Sequence, residues 1–140
     1  MNLIYLASLY SLESTPEIRQ QRFERVVKLT GVLIKNGFNV VSPIVHNHPI
    51  ALGLGLDCGW EFWKPYDECL LSKCDELFVL RDEGWDRSVG ITAEIKLAQE
   101  LNMSITYVEF DGENYRMFKK ITDIKCEPFP IIPPNTVYTL

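Results

Sequence analysis

The sequence has no run of eighteen apolar residues, so no segment is expected to cross a bilayer as a helix. Its first residues, MNLIYLASLYSLES, carry no lysine or arginine and turn acidic at Glu13. They read as a buried strand rather than a secretory signal. CxxC spacings are missing: Cys58, Cys69, Cys74 and Cys126 form no such pair. Free thiols in a reducing compartment, the cytoplasm, are therefore expected. Positive charge is also scarce, with 14 Lys and Arg against 19 Asp and Glu, a net charge of −5. A nucleic-acid polymer is an unsuitable partner, because phosphate-backbone binding needs a basic face. A single phosphate stays open, since one helix N-terminus and a few donors can hold it. Internal repeats are absent.

With 140 residues, one domain is the default, and it is large enough for an ordinary hydrophobic core. Residues 2–7 form a short apolar run that suits a parallel strand. From Pro16 to Asn36 the pattern turns helical, with Phe23, Val26, Val27, Thr30, Leu33 and Ile34 on one face. Ser14 or Thr15 can cap its start before Pro16, and Asn36-Gly37 is a stop signal. Phe38 to Val41 reads as a second strand. Residues 42–59 are rich in Pro, Gly and His, lack periodicity, and read as a long functional loop. A helix is expected over 60–73, a strand over 76–80, a helix over 88–101 and a strand over 105–108.

This alternation implies an α/β fold: a single-domain, doubly wound parallel sheet, Rossmann-like or flavodoxin-like, with helices on both faces. Residues 1–110 make the core. Residues 111–140 are an extension that packs on its own domain or reaches a second subunit. Tyr115 to Ile121 is a candidate helix within it, followed by an extended, Pro-rich CEPFPIIPPNT.

Open α/β sheets bind ligands outside the carboxyl ends of their strands. Four segments should converge there: Ser8-Leu9-Tyr10, Ser42 to His48, Arg81 to Ser88, and the loop after Val108. In the helix after residue 88, Ile91, Ile95, Ala98 and Leu101 make an apolar stripe, and Glu94 lies along it. Burying an unpaired charge is costly, so this carboxylate is either paired with an arginine, out at an edge, or catalytic. Gly84 to Gly90 leads into that helix. Its backbone N–H groups, Ser88 and Arg87 could cradle a phosphate, or Asp86 or Ser88 could simply cap the helix. Asp67 is a second carboxylate, on a solvated face or dividing acid and base roles with the first. His46 and His48 would share a side of an extended loop, but no third metal ligand stands at a recognised spacing, so no metal is expected. Trp60, Trp63 and Trp85 are candidates for stacking on a base or for ordinary packing.

Together, Ile4-Tyr5-Leu6-Ala7-Ser8, Ser42-Pro43-Ile44 with His46, Asp67 eight residues before Asp75, and Ser88-x-Gly90-x-x-x-Glu94 resemble the nucleoside 2-deoxyribosyltransferase superfamily. The chain is also similar to a bacterial and phage branch of it that opens with an IYLAS-type strand. The resemblance spans residues 3–108. It implies that Glu94 is a nucleophile toward the anomeric carbon of a sugar, that Asp67 orients the sugar or handles the proton of the departing base, and that Tyr5 lies beside Glu94. Ser88 resembles the position that accepts a 5′-phosphate in the nucleoside 5′-monophosphate N-glycosidases. Arg87, Gly90, Ser8, Arg19, Arg22, His46 and Trp85 complete the expected substrate contacts. The resemblance thus implies hydrolysis of the N-glycosidic bond of a nucleoside or deoxynucleoside 5′-monophosphate, without cofactor, by a homodimer or higher homo-oligomer. The alternatives are a deoxyribosyltransferase, a non-catalytic nucleotide-binding or sensor module, and a protein-interaction domain using the Trp loop and the tail.

Overall fold

Strict alternation in two short runs sets the sheet. In LIYLA (β1, Leu3–Ala7), Ile4 and Leu6 join one core cluster while Tyr5 and Ala7 join the other, all four fully buried. ELFVL (β3, Glu76–Leu80) repeats the pattern, with Phe78 and Leu80 on the first side and Leu77 and Val79 on the second. Strands apolar on both faces are what a central parallel strand requires. The structure, a computed structural model, describes residues 1–119. The expected Pro-rich segment, its reach to a second subunit, and Cys126 lie outside the described residues.

β1 pairs in parallel with β2 (Asn39–Val41) on one edge and with β3 on the other, placing Tyr5 opposite Leu77. β3 pairs in parallel with β4 (Ser104–Phe110), and β5 (Tyr115–Phe118) closes the order β2-β1-β3-β4-β5. β5 runs antiparallel to β4, so the sheet is mostly, not wholly, parallel. The helix expected from Tyr115 is therefore a strand over the described residues. The reversal is built at Asp111, whose carboxylate accepts the N–H groups of Glu113 and Asn114 at 2.8 and 2.7 Å. Beyond it Tyr115 and Met117 face one core cluster and Phe118 the other, which is the two-residue period of a strand.

Helix α1 (Pro16–Lys35) begins as its caps dictate: the Thr15 hydroxyl accepts Ile18 N–H at 3.2 Å, and Pro16 occupies the first position. It ends at Asn36, followed by Gly37 at φ 94°. Its buried stripe is Val26, Leu29, Thr30 and Leu33. Val27 and Ile34, expected on that face, are 40% and 55% exposed, so the contact line runs through Leu29 instead.

Residues 43–54, expected as loop, form a helix, α2 (Pro43–Leu54). Ser42 caps it by accepting Val45 N–H at 3.2 Å, Pro43 stands at its first position, and Gly55 closes it in the left-handed conformation at φ 63°. Apolar residues surround this helix and Pro49 interrupts it, so the sequence carries no amphipathic contrast to read. Only residues 55–59 separate it from α3 (Trp60–Ser72). α1 contributes Val26, Leu29 and Leu33 to the cluster of Ile4 and Leu6. α3 and α4 (Val89–Glu100) contribute Leu71, Ile91 and Ala98 to the cluster of Tyr5 and Ala7.

Arg25 on α1 braces the loop after β3. Its guanidinium grips Asp82 at 2.7 and 2.8 Å and also donates to the Phe110 carbonyl. Among the described residues, no helix is long and apolar enough to cross a membrane. Ser42→Ala removes the α2 cap and should cost about 1 kcal/mol in urea unfolding. A loss indistinguishable from zero would mean that the cap does not hold α2.

Candidate active site

Strand order reverses at β1: the chain moves from β1 to β2 on one side and returns to β3 on the other. A crevice opens at such a point beyond the strand ends. Here it is a cavity of about 120 Å³. Ser8 and Tyr10 enter it from the segment after β1, Asn47 and His48 from α2, Asp67 from α3, and Ser88, Gly90 and Glu94 from the start of α4. The loop after β4, expected to join them, does not line it.

Glu94 is one and a half turns into α4, on the stripe of Ile91 and Ala98, and only 6% exposed. Among the described residues it forms no ion pair, which removes the arginine-paired alternative. Burial pushes its carboxyl up to about 8; Tyr5 opposes this by favouring the ionised form, and the charge of Asp67 adds to it. Tyr5 stands on β1 with its hydroxyl toward Glu94, but among the described residues that oxygen has no partner at full hydrogen-bond geometry. Asp67 is equally buried and accepts Asn47 Nδ2–H at 2.9 Å. Its carboxyl rises to about 6, chiefly through burial, with Asn47 and the charge of His46 pulling the other way. The two carboxyls sense each other, and an ionised Asp67 further favours the protonated form of Glu94.

Ser88 does what its position allows. As the α4 cap it accepts Ile91 N–H at 3.2 Å, which leaves its hydroxyl proton free to donate. Ser8 lines the cavity, and its buried oxygen has no partner among the described residues. Gly90 is pressed against Trp60, where an added Cβ would come within 3.3 Å of the indole. Trp60 and Trp63 both line the cavity, whereas Trp85 does not. Trp85 packs against Tyr107 with ring centroids 5.6 Å apart, under the guanidinium of Arg81.

The arginines expected around a phosphate are elsewhere. Arg22 donates to the carbonyls of Tyr10 and Leu12 at 2.8 and 2.7 Å, pinning the first loop. Arg19 donates to Ser14 at 2.9 Å, and the exposed Arg87 lies 3.8 Å from Glu13. None of the three lines the cavity. His46 is exposed and stacks on Tyr66, with ring centroids 5.5 Å apart. It does not share a side with His48, because α2 is helical and residues two apart point roughly 200° from each other. Among the described residues, no group of three His, Cys, Asp or Glu is placed to hold a metal.

Sequence reasoning placed Tyr10, Asn47 and His48 in segments converging at the strand ends without giving Tyr10 or Asn47 a role, and it missed Cys58. The roles of Asn47 and His48 become legible once α2 is recognised from Ser42-Pro43 and Gly55. Cys58 lies in the short connection to α3 and carries no pattern.

Fold and cavity define a small α/β domain with a carboxylate-bearing pocket at the strand ends. A family model described as "Domain of unknown function (DUF1937)" matches residues 2–109, and the chain belongs to that family. No curated protein matches it.

The raised Glu94 pKa has a consequence for stability. The folded chain keeps this proton to about pH 8, whereas the unfolded chain loses it near 4.5. Stability is therefore full below about 4.5 and declines as pH rises toward 8. Glu94→Gln, isosteric and uncharged, should raise stability by about 2 kcal/mol or more at pH 8 and by little at pH 4.5. Thermal melts of both proteins across that range test this. An equal effect at both ends would place Glu94 in water.

Proposed function

We propose that this domain hydrolyses the N-glycosidic bond of a nucleoside or deoxynucleoside 5′-monophosphate, with Glu94 as nucleophile. The observation that carries the reading is the pair of buried carboxyls, Glu94 and Asp67, lining one cavity to which, among the described residues, no Lys or Arg contributes. Its physical basis is retaining glycoside chemistry, in which a carboxylate meets an oxocarbenium-like carbon.

In the first step a Glu94 carboxylate oxygen bonds to the anomeric carbon as the carbon–nitrogen bond breaks. The electron pair leaves with the base, whose nitrogen takes a proton from Asp67. In the second step water attacks the same carbon, Asp67 takes back a proton, and the ester bond breaks to restore the carboxylate. Free base and sugar 5-phosphate result. Water and two carboxyls suffice, so the steps need no cofactor.

Because Arg19, Arg22 and Arg87 do not line the cavity, the phosphate contact falls to Ser88, Ser8 and the N-terminus of α4. Neutral donors at a helix start can hold a phosphate group. The arrangement is of the doubly wound, Rossmann-like kind, supported by the reversal of strand order at β1. Exposed Leu52, Leu54 and Phe62 on α2 and α3 favour a homodimer as the working unit, and the free thiols favour the cytoplasm.

The reaction requires one proton on the carboxyl pair, placed on Asp67; at rest burial holds it mainly on Glu94, so turnover draws on the minor form in which it has passed to Asp67. Below about pH 6 both groups hold one and no nucleophile exists. Above about pH 8 neither does, and the base leaves unprotonated. A bell-shaped kcat/KM with its maximum between those values is expected. A profile flat from pH 5 to 9 would contradict the assignment.

Screening nucleoside monophosphates beside the matching nucleosides for released base is the direct test. Glu94→Gln should lower turnover by roughly a thousandfold or more while retaining substrate. Ser88→Asp should selectively weaken the monophosphates, because its charge repels the dianion. Base exchange without hydrolysis would identify a transferase instead. Nucleotide binding without either would identify a sensor.

A further inference from the structure

A hydrogen-bonded chain runs from the protein surface into the cavity, and its direction is fixed at the outer end. Glu24, a carboxylate on α1, accepts from Gln20 Nε2 at 3.1 Å. This sets the Gln20 amide, turning its carbonyl oxygen to His48 Nε2 at 2.8 Å. A carbonyl only accepts, so Nε2 must carry the imidazole proton. Burial and the charge of Arg19 favour the neutral ring, so Nδ1 is bare. The Tyr10 hydroxyl, 2.5 Å from Nδ1, therefore donates its proton outward to histidine. The imidazole is held between Phe23, stacked at 4.5 Å, and the edge-on Tyr10 ring at 5.5 Å. Tyr10 and His48 both line the cavity.

A phenol that has spent its proton offers only lone pairs. We infer that Tyr10 is a specificity-determining residue whose oxygen, fixed as an acceptor by Glu24, Gln20 and His48, selects ligand bases bearing an amino group over those bearing a carbonyl at the same edge. This rests on the nucleotide reading above. Within that class, sugar hydroxyls and phosphate are common to all members, and they donate or accept alike whichever base is attached. Donors and acceptors exchange only on the base edge. An amino group there meets the Tyr10 oxygen as a donor. A carbonyl there sets two acceptors against each other and loses its hydration without replacement. Tyr10 would touch the ligand; His48, Gln20 and Glu24 are positioning residues.

Cytidine against uridine monophosphate, and adenosine against inosine monophosphate, are the probes. Calorimetry on Glu94→Gln protein reads binding without turnover, and base release by the unsubstituted protein is measured separately. The amino member of each pair should bind about tenfold more tightly, or better. Adding Tyr10→Phe should bring the ratio to within about threefold while the protein still melts cooperatively. Nitrogen NMR of the His48 ring should show Nε2 protonated and Nδ1 bare, and Gln20→Leu should erode the preference without altering the ligand-contacting residue. Equal or tighter binding of the carbonyl member, a preference that survives Tyr10→Phe, a protonated Nδ1, or no binding of any of the four nucleotides would overturn the inference. Preference without base release would leave it standing and remove the glycosidase reading. Base release without preference would do the reverse.

Discussion

One carboxyl group, with no cation beside it among the described residues, organises this molecule. Glu94 occupies a helix position that an aliphatic residue would fill at no electrostatic cost, between Ile91 and Ala98 and against Tyr5 of the central strand. A buried acid in such surroundings keeps its proton or acquires a compensating charge. The nearest titratable neighbours supply none: Tyr5 is neutral and Asp67 is itself an acid pushed upward by burial. The site therefore holds stored acidity, at some expense in stability, and proteins tolerate such expense mainly where chemistry uses it.

The remainder of the fold serves to keep that group dry yet reachable. Parallel pairing of β1 with both β2 and β3 brings three connections to one rim, and α2 roofs it with Asn47 and His48. Asn47 steadies Asp67, and Gly90 lets Trp60 lie against the helix that carries Glu94. Arginines that a sequence reader would assign to a phosphate instead brace the walls. Arg22 ties down the loop after β1, and Arg25 anchors the loop after β3. Gly84, at φ 95° and with Leu12 pressed close, completes the contact between those two loops.

Much of this was legible in the residues. Two-sided apolar runs announced β1 and β3, Thr15-Pro16 and Asn36-Gly37 bracketed α1, and the placement of Glu94 on an apolar stripe marked the buried acid. Asp67 was legible as a residue but not as a buried one, because its solvation depends on Asn47, which sits on a helix with no amphipathic signature. The antiparallel β5 was hidden because YRMF is as compatible with a helical turn as with a strand until the Asp111 reversal is seen. Arg19, Arg22 and Arg87 were misplaced for a general reason: nearness along the chain says little about where a long, flexible cation finds its partner. Carbonyl oxygens, Ser14 and Glu13 claimed them.

The dryness of Glu94 underlies both the stability behaviour and the chemistry assigned to the cavity. It is measured most directly by following the Glu94 side-chain carboxyl carbon by NMR as pH is raised, with Glu94→Gln identifying the resonance. The account predicts a midpoint near 8. A midpoint near 4.5, the ordinary value for a solvated glutamate, would contradict it.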